Sequence, residues 1–162
     1  MKIQYMKPEK TDAFEMFELF QQLKSDDHPT TFSDVESPEV VMEWLERKGE
    51  YIYLAKLNQQ VVGALRGRRG TGIADHACEI TIAVSSDYRR QGIAKSLVIY
   101  GLSDLKNNGI KVARAQVFSD NKPSLNTLLG AGFSITGSVL KHHFDHYRKV
   151  YVDDIILMKD LV

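Results

Sequence analysis

One segment sets the order of strand and helix in the middle of this chain, and it reads Val84-Ser85-Ser86-Asp87-Tyr88-Arg89-Arg90-Gln91-Gly92-Ile93-Ala94-Lys95-Ser96-Leu97. The apolar, β-branched run at residues 80–84 predicts a strand that stops at the Ser-Ser-Asp turn. Apolar residues recur at helical spacing from Ile93 onward and predict a helix. The segment is therefore a strand, a basic turn that contains a glycine, and a helix.

This basic turn has the features of an anion site. The first N–H groups of a helix have no acceptor within the helix, and the helix dipole is positive at that end. Gly92 has no side chain, so a ligand can approach the main chain closely, and Arg89 and Arg90 add positive charge. Together these features predict a site for a phosphate or pyrophosphate group.

The composition is that of an ordinary globular domain. Its 162 residues predict one domain, residues 1–162, with one core. Lys and Arg together number 21, as do Asp and Glu, so no excess of positive charge favours nucleic-acid binding. Cys78 is the single cysteine, which favours a reducing compartment, and no apolar run approaches the roughly 18 residues of a membrane helix. We expect a cytoplasmic protein with no nucleic-acid or membrane partner.

The whole chain predicts an α+β fold in the order β-α-α-β-β-β-α-β-α-β-β. Strands are predicted at 2–7, 51–57, 61–68, 77–84, 112–118, 133–140 and 150–158, the last two around a charged loop. Helices are predicted at 9–24, from Pro38 to about 49, from the basic turn to about 108, and at 121–130. In the first two helices, Phe14, Phe17 and Trp44 are predicted to face the core.

Two motifs carry a resemblance to a known family. Arg89, Gly92 and Ala94 match the pattern Arg/Gln-x-x-Gly-x-Gly/Ala, and this segment resembles the acyl-CoA-binding motif of the GNAT superfamily of N-acetyltransferases. A second segment resembles that family's other signature, in which Asn121 follows the fifth strand and the small residue Ser124 lies three positions later. The resemblance covers nearly the whole chain. It implies a three-layer α/β arrangement, with a mixed, partly antiparallel sheet of about seven strands flanked by about four helices.

The resemblance also implies acetyl-CoA as cosubstrate and assigns the residues that bind it. The thioester is expected between two splayed strands, where the N–H of Val84 or a neighbour meets its carbonyl, and the main chain from Arg89 to Lys95 surrounds the pyrophosphate. The implied cofactor-binding residues are Ala83, Val84, Arg89, Arg90, Gln91, Gly92, Ile93, Ala94, Lys95, Asn121 and Ser124. Asn121 is equally a helix cap by residue type.

The catalytic residues are predicted with open alternatives. Glu79 lies on an otherwise apolar strand, where a carboxylate needs a reason. The resemblance implies a general base, because family members often place there a Glu that deprotonates the amine through water. The alternatives are that Glu79 merely faces solvent, or that His76 is the base. Many members carry a Tyr acid where this chain has Leu128. Tyr147 and Tyr151 are the candidates to replace this acid. The sequence does not distinguish them, and we take Tyr147 as the predicted catalytic residue. Alternatively, water protonates the leaving thiolate, or the thiolate leaves without an acid.

Three histidines, at 142, 143 and 146, lie close together near the end of the chain. A His-His-x-x-His pattern can bind a metal, but no Cys or carboxylate set at metal spacing accompanies it. We therefore predict no metal site and a solvated loop between the last two strands. The GNAT resemblance places this loop on the acceptor side.

The predicted function is direct transfer of an acetyl group from acetyl-CoA to a primary amine. The preferred acceptor is a small molecule, such as an amino acid, a polyamine or an antibiotic-like compound. The alternatives are a non-catalytic acyl-CoA-binding module and a protein N-terminal or lysine acetyltransferase. A nucleotide-phosphate binder of another fold would carry a Gly-x-x-x-x-Gly-Lys-Ser/Thr or Gly-x-Gly-x-x-Gly motif, which this sequence lacks. A homodimer is expected by family analogy.

Overall fold

The computed structural model describes residues 2–25 and 30–162, and over these residues it has seven strands and four α-helices. The strands are β1 (Gln4–Met6), β2 (Glu50–Leu57), β3 (Gln60–Arg69), β4 (Ala77–Val84), β5 (Val112–Phe118), β6 (Ser134–Asp145) and β7 (Val150–Asp160). The helices are α1 (Ala13–Gln22), α2 (Pro38–Glu46), α3 (Ile93–Asn107) and α4 (Lys122–Gly130). The predicted α+β class and element order are confirmed.

The seven strands form one mixed sheet in the order β1-β2-β3-β4-β5-β7-β6. All neighbours are antiparallel except β4 and β5, which run parallel. This parallel pairing extends only from Ala77↔Val112 to Glu79↔Arg114, whereas β5 pairs with β7 along its whole length. Within the described chain, residues 80–84 of β4 have no partner in β5. The sheet therefore opens into a slot between residues 80–84 and 115–118.

Helices cover the sheet on both faces, so the fold has three layers. One core cluster joins the sheet to α3 and α4, and it includes Ile80 of β4, Leu97 of α3 and Leu128 of α4. The second cluster joins α1 and α2 to β2 and β3, and Phe20 and Trp44 are among its members. No helix in the described part of the chain is long and apolar enough to cross a membrane.

The first helix faces the core as predicted except at Phe14, since Phe17 is partly buried against the second cluster. Its buried residues include Ala13, Met16 and Phe20, whereas Phe14 is 59% exposed. The prediction for Phe14 was wrong because the apolar face is centred on the position before it, where spacings of three and four alternate. The prediction for Trp44 is confirmed, since it is 6% exposed.

The charged loop near the end of the chain is shorter than predicted. β6 continues to Asp145, so residues 141–145 are strand, and only 146–149 form the turn to β7. The polar side chains misled the prediction because β6 lies at the edge of the sheet, where its residues are mostly exposed. Charged residues are common on such edge strands.

Candidate active site

The basic turn, residues 85–92, carries the chain from the end of β4 to the start of α3. Arg90 and Gly92 both have positive φ, 59° and 75°. The N–H of Ser96 donates to the carbonyl of Gly92 at 3.1 Å. The N–H groups of residues 93–95 precede that bond and have no acceptor within the helix. A Cβ on Gly92 would meet nothing within 4 Å, so the main chain is open to a ligand there.

The side chains of the turn divide into anchors and exposed groups. Ile93 is 3% exposed and packs in the α3–α4 core, and the Nε–H of Arg89 donates to the carbonyl of Val84 at 3.0 Å. Arg90, Gln91 and Lys95 are exposed. The contacts of Ile93 and Arg89 fix the turn against the core and β4, and the turn presents main-chain donors and positive charge to solvent. This is the arrangement that binds an anion at a helix N-terminus.

The main chain of β4 faces the slot in a defined register. The N–H of Ser85 donates to Val62 of β3 at 2.9 Å. Because successive N–H groups of a strand point to opposite edges, the N–H of Val84 points away from β3 and towards the slot. Its carbonyl is already bonded to Arg89. Val84 therefore offers a donor at the wide end of the slot, and Ala83 beside it directs its own N–H to the β3 side.

Glu79 stands at the narrow end of the slot. Its carboxylate oxygens lie 3.4 Å from the guanidinium of Arg68 and 3.4 Å from that of Arg114, and its side chain is 32% exposed. It is thus held between two cations and still reaches solvent. His76 is exposed and precedes the paired end of β4, where its carbonyl accepts the N–H of Lys111 at 2.7 Å. The structure places it beyond the closed end of the slot.

Side-chain alternation puts Glu79 on the face of the sheet opposite α3 and α4. On β5, Ala113 and Ala115 are buried under those helices, so Arg114 and Gln116 point to the other face, where both are exposed. On that face α1 and α2 pack over β2 and β3. This face is therefore exposed around Arg114 and Gln116, beside the partly exposed Glu79, and we call this area the open face.

Asn121 and Ser124 lie where β5 ends, at the wide end of the slot. Asn121 caps α4, and its Oδ1 accepts the N–H of Ser124 at 3.3 Å. The capping alternative is therefore observed, and a contact with the cosubstrate stays a prediction. Leu128, where many family members carry a Tyr, is 2% exposed in the α3–α4 core.

The candidate tyrosines lie in and next to the β6–β7 turn. The Tyr147 side chain is 96% exposed and makes no hydrogen bond or ring contact among the described residues, and Tyr151 is 61% exposed with its ring 5.0 Å from that of Phe144. The turn is tied to the end of β5 by an ion pair between Arg148 and Asp120. Tyr147 directly precedes Arg148 in this turn, and among the described residues Glu79 pairs with Arg68 and Arg114 but not with Tyr147.

Sequence reasoning missed two features of this region. Arg68 and Arg114 hold Glu79, and Asp154 joins His142 and His143. The signal for Asp154 was its position in the apolar run of residues 150–157, because a carboxylate inside such a strand needs a partner. The partners come from other strands, so the spacing along the chain does not reveal them.

Comparison with known proteins agrees with this geometry. The family model described as the acetyltransferase (GNAT) family matches residues 14–133. No curated protein matches the chain significantly.

Solved structures with the same fold are numerous. An acetyltransferase of the GNAT family from Streptococcus pneumoniae superposes with a TM-score of 0.89 at 17% identity, over 98% of this chain and 99% of the other. YncA, a putative acetyltransferase from Salmonella typhimurium solved with acetyl-CoA, gives 0.88 at 15% identity, over 100% and 95%. A phosphinothricin acetyltransferase from Sinorhizobium meliloti in complex with AcCoA gives 0.86 at 16%, over 99% and 89%. Since the family model spans well over half of the chain and the shared fold covers nearly all of it, this protein belongs to the GNAT family of acetyltransferases.

Proposed function

We propose that this protein transfers an acetyl group from acetyl-CoA directly to a primary amine of a small molecule. The observation that carries the proposal is the slot between β4 and β5, with the basic turn at its wide end and Glu79 at its narrow end. Family membership supports the acetyl donor, and solved relatives of the same fold contain acetyl-CoA.

Acetyl-CoA fits the slot by the chemistry of its parts. Its pyrophosphate would accept hydrogen bonds from the N–H groups at the start of α3, beside the exposed Arg90 and Lys95. Its pantetheine arm contains amides, which suit the unpaired edge of β4 at residues 80–84. A slot-facing N–H of β4, that of Val84 or of its neighbour Ile82 nearer to Glu79, would then donate to the thioester carbonyl and stabilise the oxyanion of the tetrahedral intermediate.

Glu79 is the proposed general base. An amine attacks only as the neutral form, so the ammonium must lose a proton first. The Glu79 carboxylate would take that proton through a water, on the open face where an acceptor has access. Arg68 and Arg114 would hold the carboxylate in place through their ion pairs.

Tyr147 remains our proposed donor of a proton to the leaving thiolate. The Arg148–Asp120 ion pair supports this proposal, since it ties the turn that carries Tyr147 to the end of β5. An ordinary thiol has a pKa of about 8.5, so the CoA thiolate is also able to leave without an acid.

Direct transfer is favoured over an acetyl-enzyme intermediate. Cys78 is 1% exposed and faces the α3–α4 core, on the other side of the sheet from Glu79. Burial raises the pKa of its thiol to about 12, so it holds its proton at neutral pH and is a poor nucleophile.

Self-association and location complete the proposal. The edge strand β6 exposes Ile135 and Leu140, which are 56% and 75% exposed, and we propose this edge as the contact of a homodimer. The single free thiol of Cys78 supports a cytoplasmic location.

The acceptor class is the part that most needs experiment. Solved structures of the same fold include a ribosomal-protein-alanine N-acetyltransferase from Brucella melitensis and a putative phosphinothricin N-acetyltransferase, both with a TM-score of 0.85. The fold therefore fits protein and small-molecule acceptors equally.

Calorimetric titration with acetyl-CoA, with CoA and ATP as comparators, tests whether the protein binds the acyl donor. Selective binding of acetyl-CoA supports the proposal. A folded protein that binds none of the three contradicts it. Thiol release with a panel of amino acids, polyamines and aminoglycosides, against peptides with free N-termini or lysines, then decides the acceptor. Binding without turnover on any amine would favour the acyl-CoA-binding alternative.

A further inference from the structure

The hairpin of β6 and β7 brings two imidazoles and one carboxylate together. Nδ1 of His142 lies 2.7 Å from Oδ2 of Asp154, and Nε2 of His143 lies 3.1 Å from Oδ1 of the same residue. One donor atom from each of the three side chains lies within 4.8 Å of the other two. The three donors thus converge on one small volume.

A β-bulge is responsible for this convergence. Val139 pairs with Asp154 and His143 pairs with Val152, so residues 140–142 of β6 stand opposite Asp153 alone. Lys141 has a positive φ of 51°, and its N–H donates to Oδ1 of Asp153 at 2.7 Å. In a regular strand, adjacent side chains point to opposite faces. Here the bulge turns the His142 ring to the same carboxylate as His143, and the two ring centroids are 4.5 Å apart.

The Asp154 carboxylate is buried, and only one of its two oxygens has a hydrogen-bond partner among the described residues. Its side chain is 6% exposed, and Oδ1 has no hydrogen-bond partner among the described residues although His143 lies within ion-pair distance. A buried carboxylate is costly unless it is paired or hydrogen-bonded, or coordinates a metal. A cation held by all three groups would balance its charge and use the oxygen that has no hydrogen-bond partner.

We propose that His142, His143 and Asp154 bind a divalent transition metal ion, for which Zn²⁺ is the probe of choice. Imidazole nitrogen and carboxylate oxygen are its usual ligands, and three protein ligands leave a coordination position open. The exposure of both imidazoles, 45% and 43%, gives the ion a route to the site. His146 is outside the set, because its ring packs against Phe144 at 4.9 Å.

The proposed metal site lies beside the slot. Asp154 pairs with Phe118, the last residue of β5, and the Phe118 ring is 4.6 Å from that of His143. Side chains alternate along β7, so Asp154, three residues before the buried Leu157, points to the opposite face. Glu79 is on the same face as Asp154. A bound cation would therefore add positive charge to the acceptor face. The site itself rests only on the hairpin and is independent of the proposed acetyl transfer.

The test is a metal titration of the purified protein with any polyhistidine tag removed. After treatment with a chelator, Zn²⁺ is added in a calorimeter, and Co²⁺ is added in parallel to read its visible absorption. We expect one ion per chain. His142→Ala and His143→Ala should each weaken Zn²⁺ binding by more than about tenfold, since even loss of an outer partner of a metal ligand has that effect. His146→Ala, in the same hairpin, is the matched control and should leave binding unchanged.

Circular dichroism and thermal unfolding of each variant establish that it is folded. The half-exposed histidines are suited to substitution, and Asp154→Asn adds a variant of nearly the same shape that should weaken binding as strongly. Absence of Zn²⁺ binding up to millimolar concentration would overturn the proposal. So would binding that survives in the double variant His142→Ala/His143→Ala, or that is lost equally in His146→Ala. None of these measurements involves acetyl-CoA, so their outcome is separate from that of the proposed function.

Discussion

Glu79 and Arg114 form the last residue pair that joins β4 to β5, and their side chains form an ion pair at 3.4 Å on the open face of the sheet. Beyond this pair the two strands separate. A carboxylate thus stands where the slot begins, and a ligand that fills the slot would lie next to it. Because Glu79 lies where the two strands separate, we propose it as the general base.

Replacement of Glu79 by Gln should lower turnover by about 10² to 10⁴-fold at neutral pH, the usual contribution of a general base. The loss should shrink as pH rises, because a primary amine with a pKa of about 10 becomes neutral without help. Affinity for acetyl-CoA should stay nearly unchanged. Steady-state rates across pH, with Glu43→Gln on α2 as the control carboxylate, provide the measurement. An unaltered pH–rate profile would remove Glu79 as the base.

Gly92 and Gly109 form a matched pair at the two ends of α3. Both have positive φ, 75° and 83°, and a Cβ at either would meet nothing within 4 Å. A left-handed conformation costs a residue with a side chain roughly 1–2 kcal/mol, so Gly92→Leu and Gly109→Leu should lose similar stability. Only Gly92→Leu should weaken acetyl-CoA binding, by about tenfold or more, because its side chain would cover the main-chain donors. Equal affinities in calorimetry would contradict the pyrophosphate assignment.

The thiol of Cys78 should be inert in the folded protein. Burial raises its pKa to about 12, so the reactive thiolate is absent between pH 7 and about 10. Iodoacetamide should therefore label it slowly at these pH values and rapidly once urea unfolds the chain. Between about pH 8.5 and 12 the unfolded chain has lost this proton and the folded chain retains it, so the thiol's contribution to stability falls as pH rises.

A second test of Cys78 concerns the route of transfer. Cys78→Ala should retain turnover, because direct transfer uses no acetyl-cysteine. Rapid-quench measurement of CoA release in the absence of amine would show no burst for either protein. A burst that disappears in the variant would establish an acetyl-enzyme and overturn direct transfer.

The ion pair between Lys56 and Asp12 should dominate the polar contribution to stability in the α1 region. Both side chains are 9% exposed. Replacement of one partner leaves the other charge buried, which costs about 3–5 kcal/mol, so Lys56→Met should shift urea unfolding strongly. The pair between Lys10 and Glu46 is exposed at 74% and 61%, and Glu46→Gln should leave the midpoint nearly unchanged. Similar midpoints for the two variants would contradict this account.

The parts of the structure that follow from local chemistry were predictable from the sequence. The bounds of β4 and β5 agree with the prediction to the residue, because each strand is followed directly by a Ser- and Asp-containing turn. The start of α4 was predictable for the same reason, since Asn121 and Pro123 are residues of helix beginnings. The slot was expected only through the family resemblance, because the sequence of one strand does not indicate where its pairing with a neighbouring strand ends.

The histidine cluster shows what local reasoning cannot supply. The sequence presented three histidines without a carboxylate set at metal spacing, and the structure joins two of them to Asp154, twelve residues from His142 on the neighbouring strand. That pairing depends on the bulge at Lys141, whose positive φ has no sequence signal as strong as a glycine. Register shifts of this kind are decided by contacts between strands and not by residue preferences along one of them.

The slot has a consequence for how such a protein diverges. Its shape comes from the place where the hydrogen bonds between β4 and β5 end, and main-chain groups are present whatever side chains accompany them. Substitutions at residues 80–84 that suit a strand therefore preserve the donor edge. Few positions, Gly92 first among them, are restricted by conformation. Selection for a new acceptor can then act on the open face while the proposed acyl-donor site stays intact.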